Sequence, residues 1–349
     1  MKVGIVGFPR AGKSTVFNAL TGLHASVGGY GDPGKPNLGA IKVPDTRIDR
    51  LSAIFTPRKT TYAEVVFVDF PGSGERSDSV VDQATLVQMR DADALAQVVR
   101  GFPDPATQDA ADPARDIETF KGELVLADLA IVEKRLERLR KEKGKEQEVE
   151  LLERCRVALE AETPLRRIAL SAAEERALSG FGLLSRLPLL VVVNVAESAA
   201  AAPLAAAVLA RLEADAVPAL ALCAQIEMEI AALEPADRAA FLADLGLTES
   251  ARDRFVQTAY ALLDLISFLT TGEDEVRAWP IRRGTPAVKA AGKIHSDIER
   301  GFIRAEVVAY DEFIRLGSEA KCREAGKLRL EGKEYVVQDG DIIHFRFNV

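Results

Sequence analysis

Gly7-Phe8-Pro9-Arg10-Ala11-Gly12-Lys13-Ser14 has the spacing G-x-x-x-x-G-K-S, in which each residue type suits one task in holding a polyphosphate. Gly7 and Gly12 let the backbone curl until its N–H groups converge on an anion. The N-terminus of the helix expected from Lys13 through Thr15 onward adds partial positive charge. Lys13 brings a full charge for the β- and γ-phosphates, and the Ser14 hydroxyl can ligate magnesium. A second set follows some 55 residues later, where the apolar run Ala63 to Val68 ends in Asp69-Phe70-Pro71-Gly72. There Asp69 would hold the magnesium through water, and the Gly72 N–H would sense the γ-phosphate. Both motifs could be mere turns, but each follows an apolar strand, the context that phosphate chemistry requires.

The elements that must position these groups read as strands separated by helices. Val3 to Val6 runs into the Gly-rich turn, and Thr15 to Leu20 leaves it as a helix ending at Gly22. Val27 to Asn37 is too rich in Gly and Pro for helix or central strand and reads as a long loop. Leu38 to Val43 reads as strand and Arg47 to Phe55 as helix. Ala92 to Val99, Leu189 to Val193 and Val217 to Leu222 are apolar runs of the kind found in buried parallel strands. The expected fold class is therefore α/β, a doubly wound, mostly parallel sheet. Between them, Leu129, Val132, Leu136 and Leu139 make an apolar seam in a densely charged stretch. Gly144 offers a turn before Leu152, Cys155 and Leu159 resume the spacing, which predicts an antiparallel helical hairpin, either a docking surface or simply a solvated face.

From about Ala278 the pattern shifts to short strands (Ile303 to Val308, Tyr335 to Val337, Ile342 to Phe345) with one helix, Tyr310 to Leu316. The expected organisation is a discontinuous nucleotide-binding domain, 1–115 plus 187–277, a hairpin insertion, 116–186, and a small α+β domain, 278–349. That last stretch carries thirteen Lys and Arg against eleven Asp and Glu, on a chain of net charge −8. The contrast suggests contact with RNA or another anionic surface, whereas the overall charge argues against indiscriminate coating of nucleic acid, DNA included. No apolar run reaches the roughly 18 residues of a membrane span, so no membrane partner is expected. Cys155, Cys223 and Cys322 have neither metal-ligand nor disulfide spacing, which fits a reducing cytoplasm. His24, His295 and His344 are scattered and read as structural.

The stretches GFPRAGKSTVFNALTG, VPDTRIDRL, VFVDFPG and NVAE, with the C-terminal RAWPIRRGTPAVKAAGKIHSDIERGFIRAE and GKEYVVQDGDIIHFRFNV, resemble the YchF/Obg-like ATPase family over essentially the whole chain. These are translation-associated P-loop proteins of the Obg group, and the resemblance implies a β-grasp-like TGS domain at the C-terminus. It implies a nucleotide site built from Gly7 to Thr15 (Gly7, Arg10, Ala11, Gly12, Lys13, Ser14, Thr15), the Asp69-to-Gly72 turn, and Asn194 to Glu197. Cys223 and Ala224 would line the base. The implied partner is the ribosome or ribosomal RNA, met by a cytoplasmic monomer. In the wider class an Asp accepts from guanine N1–H; here Glu197 stands in its place and Val195 replaces a Lys. Adenine offers no donor at N1, whereas Asn194 could pair with N6 and N7, so ATP is preferred over GTP.

Three departures from the family pattern stand out. Arg10 replaces an Asn linked to potassium use in related proteins, and its guanidinium either supplies a fixed charge there, a catalytic role beside Lys13 and Gly72, or points to solvent. The first switch, matched to Asp32-Pro33-Gly34-Lys35, lacks the family's Thr, leaving Asp32 as a possible substitute. Ser73 to Asp78 is polar where the family is Gly-rich, and no Gln stands ready to orient water. The reading is of slow or partner-stimulated Mg-ATP hydrolysis in a ribosome-associated switch. The alternative is an adaptor ordered by nucleotide with little turnover; a metabolic kinase ranks last, since no second-substrate site is recognisable.

Overall fold

The computed structural model describes residues 1–23, 36–70, 82–104, 107–142 and 144–348. Its first seven strands are β1 (Lys2–Val6), β2 (Asn37–Lys42), β3 (Lys59–Thr61), β4 (Glu64–Asp69), β5 (Ala94–Gly101), β6 (Leu189–Val195) and β7 (Ala219–Leu222). Five follow: β8 (Leu265–Thr270), β9 (Glu275–Arg282), β10 (Phe302–Ala309), β11 (Arg329–Glu331) and β12 (Asp341–Phe347). They form two six-stranded sheets, and the chain divides into two compact units, one of residues 1–41 and 66–258, the other of 42–65 and 259–349.

The first sheet has the order β2-β4-β1-β5-β6-β7, with β4, β1, β5, β6 and β7 successively parallel. This is the doubly wound sheet expected from the sequence. Its central strands are the continuous apolar runs: six successive residues of β5 and of β6 are buried, because helices cover both faces. Edge strand β2 alternates instead: Gly39 and Ile41 are buried and their neighbours exposed. On one face Val6, Leu95, Val99, Val191 and Val193 pack with Phe120 and Leu124 of the helix Pro113–Leu139.

That helix serves two cores. Its first half, through Ile117, Phe120 and Leu124, belongs to the sheet's core, while Val132, Leu136 and Leu139 pack against Leu152, Cys155 and Leu159 of the helix Glu146–Glu160. The expected hairpin is present, but the boundary drawn at 115/116 falls inside its first helix. Charge density, the cue used in the sequence, begins well after the helix does. Asp128, fully buried at the handover, accepts from the main-chain N–H groups of Leu184 and Ser185, both at 2.7 Å.

The second sheet has the order β11-β10-β12-β8-β9-β3. Strands β10, β11 and β12 are antiparallel, β8 pairs antiparallel with β9, and β12 meets β8 in parallel at Ile342 and Leu269. Ile266, Phe268, Ala305, Val307, Ile343 and Phe345 form its core with Ala287, Ala290 and Ala291 of the helix Ala287–Ile294. The expected start at 278 lies within β9, and strands of this sheet occur earlier, β3 at Lys59 and β8 at Leu265. Tyr335 to Val337 makes an isolated bridge, Val336 to Pro286, in place of the expected strand. The helix Tyr310–Leu316 has the expected bounds.

Candidate functional site

The phosphate-loop motif occupies the turn between β1 and the helix Lys13–Thr21, with Lys13, Ser14 and Thr15 in that helix's first turn. Gly7 has φ +141°, and a Cβ there would run into the Val98 carbonyl oxygen of β5. Gly12 caps the helix at φ +87°, and a Cβ there would strike the Asn194 amide. Both positions therefore need glycine for conformation and for space. Between them Arg10 also takes a left-handed conformation, φ +62°, and Ala11 is buried, its N–H bonded to the Phe8 carbonyl at 3.3 Å.

Lys13 Nζ donates to the Phe8 carbonyl at 2.9 Å. Burial lowers its pKa to about 8, with the nearby Asp69 carboxylate pulling the other way. Asp69 ends β4 and is 4 % exposed. Its Oδ2 accepts from the Ser14 hydroxyl at 2.9 Å and from Asn37 Nδ2 at 3.2 Å, while its Oδ1 is buried with no hydrogen-bond partner among the described residues. Burial raises the pKa of this carboxyl against the opposing pull of Asn37, Ser14 and Lys13. A buried carboxylate oxygen left unpaired beside a hydroxyl is a donor set suited to a small, hard cation.

Asn194, 4 % exposed at the end of β6, ties this loop to a third one. Its Nδ2 donates to the Ala11 carbonyl at 3.1 Å, and its Oδ1 accepts from the Ala224 N–H at 3.3 Å. Both ends of the amide expected at the base edge are thus engaged within the frame. Ala224 opens the helix Ala224–Ala232, with buried Cys223 at its N-cap, whereas Glu197 is exposed in a short 3-10 turn, Glu197–Ala199. Two strand ends and two helix starts thus bring Lys13, Ser14, Asp69, Asn194, Cys223 and Ala224 together.

Gly72, Asp32 and the segment Ser73 to Asp78 lie outside the described residues, as does His24. His295 caps the helix Ser296–Arg300 through Nδ1, which accepts from the Asp297 N–H at 3.1 Å, and His344 is exposed on β12. The three cysteines are free and buried. Two residues of the site were not singled out in the sequence. Asn37 reaches Asp69, and Asp104, just beyond β5, pairs with Arg10 at 3.3 Å. For Asn37 the signal was its position, two residues beyond Lys35, the end of the stretch matched to the first switch.

The family model described as 50S ribosome-binding GTPase matches residues 2–135, and the YchF GTPase C-terminal model, described only as a protein of unknown function, matches residues 265–348. The "Ribosome-binding ATPase YchF" of Bacillus subtilis (strain 168) is 42% identical over 364 residues, covering 100% of both chains. The chain belongs to the YchF family. Its counterpart of the same name in Escherichia coli O157:H7 is 37% identical, covering 100% of this chain and 99% of its own. Among solved structures, the YchF GTPase of Schizosaccharomyces pombe superposes with a TM-score of 0.89 at 30% identity, covering 99% of this chain and 97% of that one. The YchF relationship thus spans both units. No helix among the described residues is long and apolar enough to cross a membrane.

Proposed function

We propose that this protein binds Mg-ATP at the phosphate loop, hydrolyses it slowly, and uses the cycle to change its affinity for the ribosome. The observation that carries the proposal is the convergence of Lys13, Ser14 and the half-unsatisfied Asp69 carboxylate on one loop–helix junction. The relatives named ribosome-binding ATPases, at 42% and 37% identity over the full chain, support both the reaction and the partner.

In this reading Lys13 leaves the Phe8 carbonyl for the β- and γ-phosphate oxygens, a stronger, charge-assisted bond. The loop N–H groups and the helix start donate to the remaining phosphate oxygens. Ser14 and Asp69 would hold magnesium, Asp69 through water, and the ion would supply positive charge to offset that of the phosphates. Asn194 keeps the phosphate loop and the base-side turn at Cys223 and Ala224 in register. Glu197 stands where a guanine-reading Asp would, which favours ATP over GTP. The C-terminal unit, read as a TGS domain, and the paired helices Pro113–Leu139 and Glu146–Glu160 are the docking surfaces. The protein acts as a cytoplasmic monomer.

Single-turnover hydrolysis of Mg-ATP by the wild type and Lys13→Ala, with and without ribosomes, tests this. The expected result is turnover that ribosomes raise and that Lys13→Ala lowers by at least about a hundredfold, the scale of losing a phosphate-stabilising charge. Tight ATP binding without turnover in any condition would leave a nucleotide-ordered adaptor instead.

A further inference from the structure

We infer that Asp104 is a positioning residue that holds the Arg10 guanidinium at the rim of the phosphate loop, where it reads the terminal phosphate of a nucleoside triphosphate. The inference rests on the nucleotide-binding reading above and adds to it a residue pair that gives the loop its preference for three phosphates over two.

Asp104 lies just beyond β5, with its side chain 8% exposed. It is fixed on several sides. Its Oδ1 accepts from the Thr107 N–H at 3.3 Å, its carbonyl accepts from the Gln108 N–H at 2.8 Å, and its own N–H donates to the Asp109 carbonyl at 2.9 Å. The carboxylate therefore cannot follow Arg10; Arg10 must come to it. Arg10 does so through one nitrogen, Nη1 to Oδ1 at 3.3 Å, with its side chain still 53% exposed. Among the described residues this is the one polar partner of the guanidinium.

Three physical points turn this contact into a device. A guanidinium is a planar fork with five N–H donors, so one bond to Asp104 leaves Nε and Nη2 free to meet a phosphate oxygen. A buried carboxylate beside an anion-binding loop repels the ligand unless a cation offsets it. A guanidinium touching both at once offsets the first and attracts the second. Finally, Arg10 sits in a left-handed backbone conformation between Gly7 and Gly12, three residues before Lys13. Its side chain therefore leaves the same loop that wraps the phosphates, and tethering it limits the rotamers lost on binding.

The discriminating experiment compares affinity for ADP and for a non-hydrolysable ATP analogue, both with magnesium, in Arg10→Ala, Asp104→Asn, the double variant, Arg10→Lys and Lys13→Ala. Arg10→Ala is expected to weaken the ATP analogue about tenfold and ADP less than about twofold, the scale of one charge-assisted hydrogen bond. Asp104→Asn is expected to weaken the analogue about threefold to fivefold with the same selectivity, and the double variant to bind it no more weakly than Arg10→Ala, since the uncompensated carboxylate is removed as well. Arg10→Lys, with charge but no fork, should recover only part of the loss. Equal loss for both nucleotides would mark a structural role, and additive losses would show that Asp104 does not act through Arg10; either overturns the inference. If the wild type binds neither nucleotide, the nucleotide-binding reading itself fails, and if Lys13→Ala binds both like the wild type, the phosphates do not sit at this loop; both outcomes are separate from the other two.

Discussion

Lys13 carries its charge conditionally. Its pKa stands near 8 because the ammonium is buried, and Asp69 alone opposes that shift. A bound triphosphate favours the charged form, so its pKa rises on binding and the complex is favoured at pH values below the free value. ATP affinity should hold steady up to about pH 8 and then fall, approaching tenfold per pH unit, with proton uptake on binding. Calorimetric titrations at pH 9 in buffers of different ionisation enthalpy would reveal the uptake; an affinity flat from pH 7 to 9.5 would refute it. Folding of the free protein has the opposite sign. Between about 8 and 10.5 the unfolded chain holds this proton more tightly, so on Lys13's account stability rises with pH across that window. Residues at this scale were legible wherever a motif fixes them by spacing: Gly7, Gly12, Lys13, Ser14, Asp69 and Asn194. Asp104 was not, because a single acid in a Pro- and Asp-rich loop has no pattern until β5 brings it beside β1.

At the scale of elements, the long helix Pro113–Leu139 depends on a polar anchor that its apolar pattern conceals. Asp128 lies on the buried side of that helix and accepts two main-chain N–H bonds from the turn Leu184–Arg186. Replacing it by Ala leaves both donors buried and unpaired, at about 1–3 kcal/mol each. We expect Asp128→Ala to lower stability by about 2–5 kcal/mol, seen as a lower urea midpoint with an unchanged slope. A loss below about 1 kcal/mol would mean that water replaces the carboxylate. Periodicity foretold the central strands β5 and β6, because burial on both faces demands unbroken apolar runs. It could not foretell β3, three residues (Lys59, Thr60, Thr61) on a sheet edge. Nor could it separate the bridge at Val336 from a true strand, since both need an extended apolar residue.

For the whole molecule, the sequence suggested a nucleotide domain followed by a separate C-terminal one, and the chain is more interwoven. Residues 42–65, lying between the two phosphate motifs, belong to the same compact unit as 259–349. There Arg47 donates to Asp45 at 2.8 Å and to Asp339 at 2.9 Å, and Phe55 stacks on Phe313 with ring centroids 5.6 Å apart. Arg47→Ala should cost about 1–3 kcal/mol of stability, the value of charge-assisted bonds at a part-buried site. A double-mutant cycle with Asp339→Ala should show coupling, and strictly additive effects would argue that the bridge contributes nothing. Local composition cannot reveal this interweaving, because partners so distant in sequence leave no mark on each other's spacing. The interweaving also imposes a schedule on synthesis. Thr61 bonds to Glu275, 214 residues further along. At about 5–20 residues per second, roughly ten to forty seconds separate the emergence of the two. Throughout that interval β3 lacks its sheet neighbour β9, and the helix Thr46–Phe55 lacks Asp339 and Phe313, so the second sheet cannot close until synthesis is nearly done.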